Sequence, residues 1–356
     1  MKKIVLILVF LFALSSNAAE KNIRASGTPA TNNGCGDNCS WTLYDDGTFE
    51  MTGSGTMYNY SNVLGTKTYW TISDDAPWSA YIGDIKSISI GPEITNIGAC
   101  AFAGAYSLKS VDIPNNITAI NFGAFLTSNL EEVRLPDTLS TIEGWAFNTN
   151  HSLESINIPD SLTIINEGLL AASNLEYFVF PDTVERISNQ IFDGSRNLKS
   201  IVIGENVTDI WSGAFTDTGN NVVGNNVVIY CEDKTKGRCS SLMEGKTGED
   251  KLQLFRKNES GYYVLTDLDG NDITDSKGNP IYYANLDLMA HGAACTDEQN
   301  CRDILASNGQ PFKVGSKIYN SIDDFAKGNN VKFRIYTIDE ANAVAGEVNT
   351  IRIRYR

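Results

Sequence analysis

Histidine is almost missing from this 356-residue chain: there are two, His151 and His291. The metalloprotease pattern H-E-x-x-H is absent, as are a G-x-S-x-G nucleophile turn and a phosphate-cradling glycine loop. Positive charge is scarce too, with 28 Lys and Arg against 43 Asp and Glu and a formal net charge of −15. Such a surface repels phosphate backbones and anionic lipid, so nucleic acid is not an expected partner. Long apolar runs are limited to one. Residues 1–18 carry Lys2 and Lys3, an apolar stretch from Ile4 to Leu14 and the small residues Ser16-Asn17-Ala18. This is the form of a secretory signal peptide, too short to span a bilayer comfortably. Without Lys2 and Lys3 the formal charge becomes −17. No Cys stands at the expected mature start and no apolar tail ends the sequence, so the mature protein is expected not to be integral to a membrane. No cofactor is expected. A glycosidase needs only two carboxylates, so the acidic residues leave that class open.

Repetition is what the sequence has in quantity. Six segments begin at Ile85, Leu108, Leu130, Leu153, Leu175 and Leu198, spaced by 22 or 23 residues, a period that marks a stack of coils. The fourth and sixth places are apolar throughout (Ile88/Ile90, Val111/Ile113, Val133/Leu135, Ile156/Ile158, Phe178/Phe180, Ile201/Ile203), which predicts a strand with one buried face. The tenth and thirteenth places give a second short extended or turn-like run, from Ile94/Ile97 to Val207/Ile210. Pro or Gly between the two, as in Pro136-Asp137, marks the corner where each coil leaves the first sheet. The eighteenth place is Phe102, Phe125, Phe147, Leu170, Phe192 and Phe215, read as a short helical turn dropping a ring into the core, with Leu170 a packing variant. One coil cannot bury its own faces, so both ends need covers.

The run Leu130 to Phe147, LEEVRLPDTLSTIEGWAF, resembles the BspA-type leucine-rich repeat of bacterial and protist surface proteins. The stretch from Cys35 to Thr48, then Gly53-Ser54-Gly55-Thr56-Met57 and Ala76-Pro77-Trp78, is similar to the entry module that often precedes such repeats. The family often has Cys three residues after the Phe; here those places hold Ala105, Ser128, Asn150, Ser173, Ser195 and Thr218, small or polar residues able to fill the same turn. The expected fold is a β-rich solenoid of six leucine-rich coils, with a signal peptide at 1–18, an N-terminal β capping module at 19–84, the repeats at 85–231 and a small separate C-terminal α+β module at 232–356.

Seven cysteines fall as Cys35 with Cys39, Cys231 with Cys239, Cys295 with Cys301, and Cys100 alone. In an exported protein this reads as three local disulfides and one free thiol, one of fifteen ways to join six cysteines. Zinc is not expected, because only Cys35-x3-Cys39 has a ligand spacing and His291 lacks a partner pair. Past Cys231, residues 240–256 read as polar with a short helical tendency. Tyr262–Leu265 and Ile281–Tyr283 read as strands joined through Asp-Gly-Asn and Lys-Gly-Asn turns, and Val331–Tyr336 pairs with Asn349–Tyr355 around a helix-like Asp339–Ala345. The carboxylates from Asp267 to Asp275 fit either a Ca²⁺ loop or a solvated turn; the EF-hand places that need Gly and Glu hold Asp272 and Gly278. Six Asn-x-Ser/Thr sequons start at Asn38, Asn59, Asn116, Asn150, Asn206 and Asn258.

On the first strand the third and fifth places point away from the core. They run Ser87/Ser89, Ser110/Asp112, Glu132/Arg134, Ser155/Asn157, Tyr177/Val179 and Ser200/Val202. Asp112, Arg134, Asn157, Tyr177, Val179 and Val202 are the candidate partner-binding residues, the last three forming an apolar cluster rimmed by polar groups. Either that cluster is a contact site or another part of the chain folds over it. Resemblance implies an extracellular protein or surface glycan as partner and a non-catalytic adhesion or binding role on the cell surface or outside the cell. A structural spacer anchored by residues 232–356 and an extracellular carbohydrate-active enzyme are the alternatives.

Overall fold

Each coil of the repeat contributes two short strands, and strands of neighbouring coils pair in parallel with residues of the same place in register, except that first strands are not paired between the first and second or the fourth and fifth coils, nor second strands between the third and fourth. The computed structural model describes residues 21–60, 75–211, 213–215, 227–232, 239, 252–267, 269–290 and 293–306, and the strands Phe312–Val314, Lys317–Tyr319, Phe333–Ile335 and Ile353–Tyr355. The expected signal peptide, His291, the stretch 240–251 and the helix-like 339–345 lie outside the described residues.

The first ladder consists of Ser87–Ile90, Ser110–Asp112, Glu132–Arg134, Ser155–Ile156, Tyr177–Val179, Ser200–Ile203 and Val228–Glu232. Ser110–Asp112 pairs with Glu132–Arg134, and Tyr177–Val179 with Ser200–Ile203, each offset by one coil. The second ladder runs from Asn96–Ile97 to Thr141–Ile142 and again from Ile164–Ile165 to Asp209–Ile210. Between the ladders Val111, Ile113, Val133, Leu135, Phe178, Phe180, Ile201 and Ile203 are buried in one core with the rings of the eighteenth place. Phe102, Phe125 and Phe147 stack with centroids 5.5 Å apart and nearly parallel planes. Leu170 interrupts the column. In the next coil Phe178 and Phe180 stand where other coils have Ile, Val or Leu, and both meet Phe192 edge-on, at 5.2 and 6.2 Å. Ring volume missing from one place returns at two others, as a close-packed core requires.

The segment that holds these rings is not the helical turn expected from sequence. The sixteenth place is left-handed in five successive coils (Cys100, Gly123, Trp145, Gly168 and Gln190), and so is the twentieth (Gly104, Thr127, Thr149, Ala172 and Gly194). The backbone donors alternate. Cys100, Phe102 and Gly104 donate to Phe122, Ala124 and Leu126 of the next coil, while Ala101, Ala103 and Ala105 bond three residues back. A regular helix would keep its N–H groups within the coil; here every second one joins the stack together.

The polar residues three places after the ring tie the same turns. Ser128 Oγ donates to Phe102 O, and Ser195 Oγ to Leu170 O. Asn150 is fully buried; its Nδ2 donates to Phe125 O and Phe147 O and its Oδ1 accepts Leu130 N–H. Its sequon is therefore closed to modification in the folded chain.

At the N-terminal end β1 (Ile23–Gly27), β2 (Asn38–Tyr44) and β3 (Thr48–Gly55) form an antiparallel meander, and β3 then pairs in parallel with Ser87–Ile90. Trp41, Phe49 and Trp78 are buried, Phe49 reaches Phe102 at 5.4 Å, and Trp78 Nε1–H donates to Ala101 O at 2.8 Å. The disulfide Cys35–Cys39 is buried beside them. These rings cover the core face of the first coil.

At the other end the sheet that carries the fifth and sixth coils continues past Cys231. Leu252–Lys257 pairs in parallel with Val228–Glu232, Tyr263–Thr266 pairs antiparallel with Leu252–Lys257, and Tyr282–Tyr283 follows. The helical tendency expected through residue 256 is thus a strand over its last part. Its L-Q-L-F-R-K sequence buries Leu254 and Phe255 on opposite faces, one in the repeat core and one in a second core. The disulfide Cys231–Cys239 is buried in the repeat core; α1 (Leu286–Ala290) follows Tyr282–Tyr283, and Cys295–Cys301 ties the segment after α1, where Cys295 N–H donates to Tyr282 O, to α2 (Glu298–Ala306). Phe333–Ile335 pairs with Ile353–Tyr355 as the sequence predicts, and Phe312–Val314 forms a hairpin with Lys317–Tyr319 that it does not.

Candidate functional site

The outward row of the first ladder changes character along the stack. Ser87, Ser89, Ser110 and Asp112 are exposed, and Glu132 and Arg134 are half-buried. From the fourth coil onward the row closes: Ser155 and Ser200 are buried, and Val202 is 0 % exposed.

The cause is α1. It packs across Tyr177–Val179 and Ser200–Ile203, and Ser200 Oγ donates to Ala290 O. Met289 at 0 % and Ala290 at 3 % exposure join Val202, Tyr230, Phe255, Leu265 and Tyr283 in the second core, with Tyr177 and Val179 packed at its margin. Of the two readings left open for the apolar cluster, the fold realises the second: Tyr177, Val179 and Val202 are the seat of the chain's own C-terminal segment. Val202 is thereby corrected from an exposed residue to a core residue. Lys199 closes one side of Tyr177, 5.5 Å from the ring centroid, and its ammonium pairs with Glu176 at 3.0 Å, which raises its pKa.

Asn157 is also drawn out of the outward row. Its Oδ1 accepts Leu135 N–H at 2.9 Å and its Nδ2 donates to Leu135 O at 2.8 Å, so the side-chain amide replaces a backbone partner between the third and fourth coils. The remaining polar candidates meet. Arg134 Nε donates to Glu132 Oε1 at 2.9 Å, and Arg134 Nη1 lies 3.9 Å from Asp112 Oδ2. Asp112 is mostly solvated, with a 77 % exposed side chain, whereas Arg134 is held down on the sheet. The open stretch is therefore a flat hydroxyl-lined strip with one fixed guanidinium between two carboxylates.

The carboxylates of the 267–275 stretch serve turns. Asp267 Oδ1 accepts Asp269 and Asn271 N–H, and Asp275 Oδ1 accepts Lys277 and Asn279 N–H. These hydrogen bonds hold both carboxyls below the usual range, with the Asn271 side chain the first cause at Asp267 and the Asn279 backbone at Asp275. Asp272 pairs with Arg256 at 2.6 Å. Among the described residues no group of three or more His, Cys, Asp or Glu is placed to hold a metal ion, and no helix is long and apolar enough to cross a membrane. Cys100, which is in no disulfide, is buried with Sγ 3.8 Å from Phe122 O.

Sequence reasoning missed α1. The signal was the apolar group Leu286, Leu288, Met289 and Ala290, directly after a strand and too short for a helical period to declare itself.

Parallel two-ladder coils with a ring column define a leucine-rich repeat protein. Residues 80–197 and 170–227 match the model of the BspA type leucine rich repeat region in six copies. Among solved structures, a leucine-rich repeat protein from Eubacterium ventriosum ATCC 27560 is 20% identical, covering 59% of this chain and 69% of its own, with a TM-score of 0.30. A leucine rich cell surface protein from Faecalibacterium prausnitzii A2-165 is 20% identical over 66% of this chain and 58% of its own, TM-score 0.37. The leucine rich repeat protein of T. pallidum is 21% identical over 50% and 85%, TM-score 0.35. No curated protein matches the chain.

Proposed function

We propose that this is an exported, non-catalytic adhesion or binding protein of the cell surface or its surroundings, which takes an extracellular protein partner on the open N-terminal part of its first sheet. The supporting observation is the division of that sheet. Its apolar end is filled by α1, while Ser87, Ser89, Ser110, Asp112, Glu132 and Arg134 remain accessible in a regular two-residue row. Repeats of this kind present side chains at one rung per strand, so a partner gathers many small contacts along the row. Arg134 is the anchor, because a guanidinium already oriented by Glu132 loses little side-chain freedom on binding. Glu132 and Asp112 are engaged with Arg134, an arrangement suited to recognition rather than proton transfer. Three local disulfides fit an oxidising compartment.

The test is binding of the full mature chain to an array of extracellular-matrix proteins, wild type against Arg134→Glu and Asp112→Lys. Saturable binding weakened about tenfold or more by Arg134→Glu, with an unchanged melting temperature, supports the assignment. Equal binding by both folded variants removes it. Deleting residues 232–356 is the wrong comparison, because it would strip α1 from Val202 and create a new apolar surface.

A further inference from the structure

The fourteenth place of the coils holds Gly98, Asn121, Glu143, Asn166 and Ser188, and then, in the sixth coil, Trp211. Its ring is 42% exposed, on the second ladder and away from the first sheet. The indole Nε1–H donates to Asp209 Oδ2 at 3.3 Å, and the same oxygen accepts Arg186 Nε–H at 3.0 Å. Arg186 and Asp209 are register partners in adjacent strands, and Ile164, 39% exposed, is the next residue along that row. Among the described residues, Asp209 Oδ1 and the Nη groups of Arg186 make no hydrogen bond.

An exposed indole normally turns freely. Here one hydrogen bond fixes the ring and an ion pair fixes the group that holds it, which is the preorganisation a binding platform needs. The exposed indole is thus hydrogen-bonded to a carboxylate that is itself paired with a guanidinium of the adjacent strand, and among the described residues Asp209 Oδ1 and the Arg186 Nη groups are open to a ligand. We infer that Trp211, Asp209 and Arg186 form a site for a neutral saccharide. A pyranose offers an apolar C–H face to the indole, and its adjacent hydroxyls each donate and accept, matching Asp209 Oδ1 and Arg186 Nη together. Donors and acceptors beside an apolar ring suit a ligand that carries hydroxyls next to an apolar face. The ion pair is locally neutral and the chain carries −15, so an anionic sugar is disfavoured.

The experiment follows the Trp211 Nε1–H resonance of the full chain, assigned by its loss in Trp211→Phe. The chain is titrated with chitohexaose, cellohexaose, mannohexaose and xylohexaose, and with hexagalacturonate as the anionic control. At least one neutral hexasaccharide is expected to shift that resonance saturably. Trp211→Ala should weaken its binding about tenfold or more with an unaltered melting temperature. Asp209→Asn, which keeps the ring, should weaken it less, and Arg134→Glu should leave it unchanged because the protein-binding strip is a different surface. No shift with any neutral sugar, binding confined to hexagalacturonate, or equal affinity in Trp211→Ala each overturns the site.

Discussion

The indole of Trp145 lies directly against Gly168 of the next coil: a Cβ added at Gly168 would stand 2.5 to 2.8 Å from three of its ring carbons. Gly168 also has a φ of +63°, in the left-handed region. The same alternation holds one step earlier, where Cys100 Sγ is 3.3 Å from the position of a Cβ on Gly123. The sixteenth place thus alternates a side chain with a glycine that makes room for it.

Gly168→Ala is expected to lower stability by about 2 kcal/mol or more, from left-handed backbone strain and the steric conflict with the ring together. Thermal unfolding measures the sum. In the double variant Gly168→Ala, Trp145→Ala the steric part should vanish, so the two changes together should cost less than their separate costs added. Strict additivity would show that the ring does not press on Gly168.

Asn150 offers a contrast between two replacements of one residue. Asn150→Ala leaves Leu130 N–H and the carbonyls of Phe125 and Phe147 without the amide, all in a buried turn, at a cost of about 1–3 kcal/mol. Asn150→Ser should cost less, because Ser128 and Ser195 already bond the carbonyl of the preceding coil at the same place. Denaturant titration of both variants decides it, and a serine as harmful as alanine would contradict the equivalence of these turns.

Much of the fold is legible because every place in the coil is sampled six times. The buried fourth and sixth places, the corner residues and the ring column recur, and one exception such as Leu170 stands out against the others. Features that occur once are not legible in that way. The strand Leu252–Lys257 and the cover by Leu286–Ala290 follow the end of the period, and their partners Val202 and Tyr230 are distant in sequence. Asn157 illustrates a different limit. Period two places it outward, yet its amide turns along the sheet to Leu135, a choice made by hydrogen bonding rather than by alternation. Trp211 was visible as a residue but not as a site, since its meaning depends on Asp209 and Arg186 from two coils.

Met289→Asp tests whether α1 holds the apolar end of the sheet closed. Met289 is fully buried in the second core, and an unpaired carboxylate there costs several kcal/mol. The expected outcome is protease cleavage near residues 284–294 and faster hydrogen exchange in Leu252–Lys257, with the coils from Ile85 to Ile165 unaffected. Loss of protection throughout the chain would mean that the cover and the repeats unfold as one unit.

The same core contains the buried pair Tyr230 and Tyr283, with ring centroids 6.4 Å apart. Burial pushes both phenols above their ordinary value of 10.0, and at Tyr283 the charge of an ionised Tyr230 adds to it. The folded state therefore favours the protonated rings: their contribution is complete below pH 10 and declines as the pH rises through the higher folded values. Alkaline solution should loosen the cover over Val202 before it loosens the central coils. Tyr60, raised by its own burial, adds a similar sensitivity at the N-terminal end, so a global melting curve would mix the two. Local hydrogen exchange at Ser200–Ile203, followed from neutral pH to above pH 10 and corrected for the intrinsic rate, separates them. The double variant Tyr230→Phe, Tyr283→Phe should keep that segment protected at the alkaline end, and identical profiles for variant and wild type would remove these two phenols as the cause.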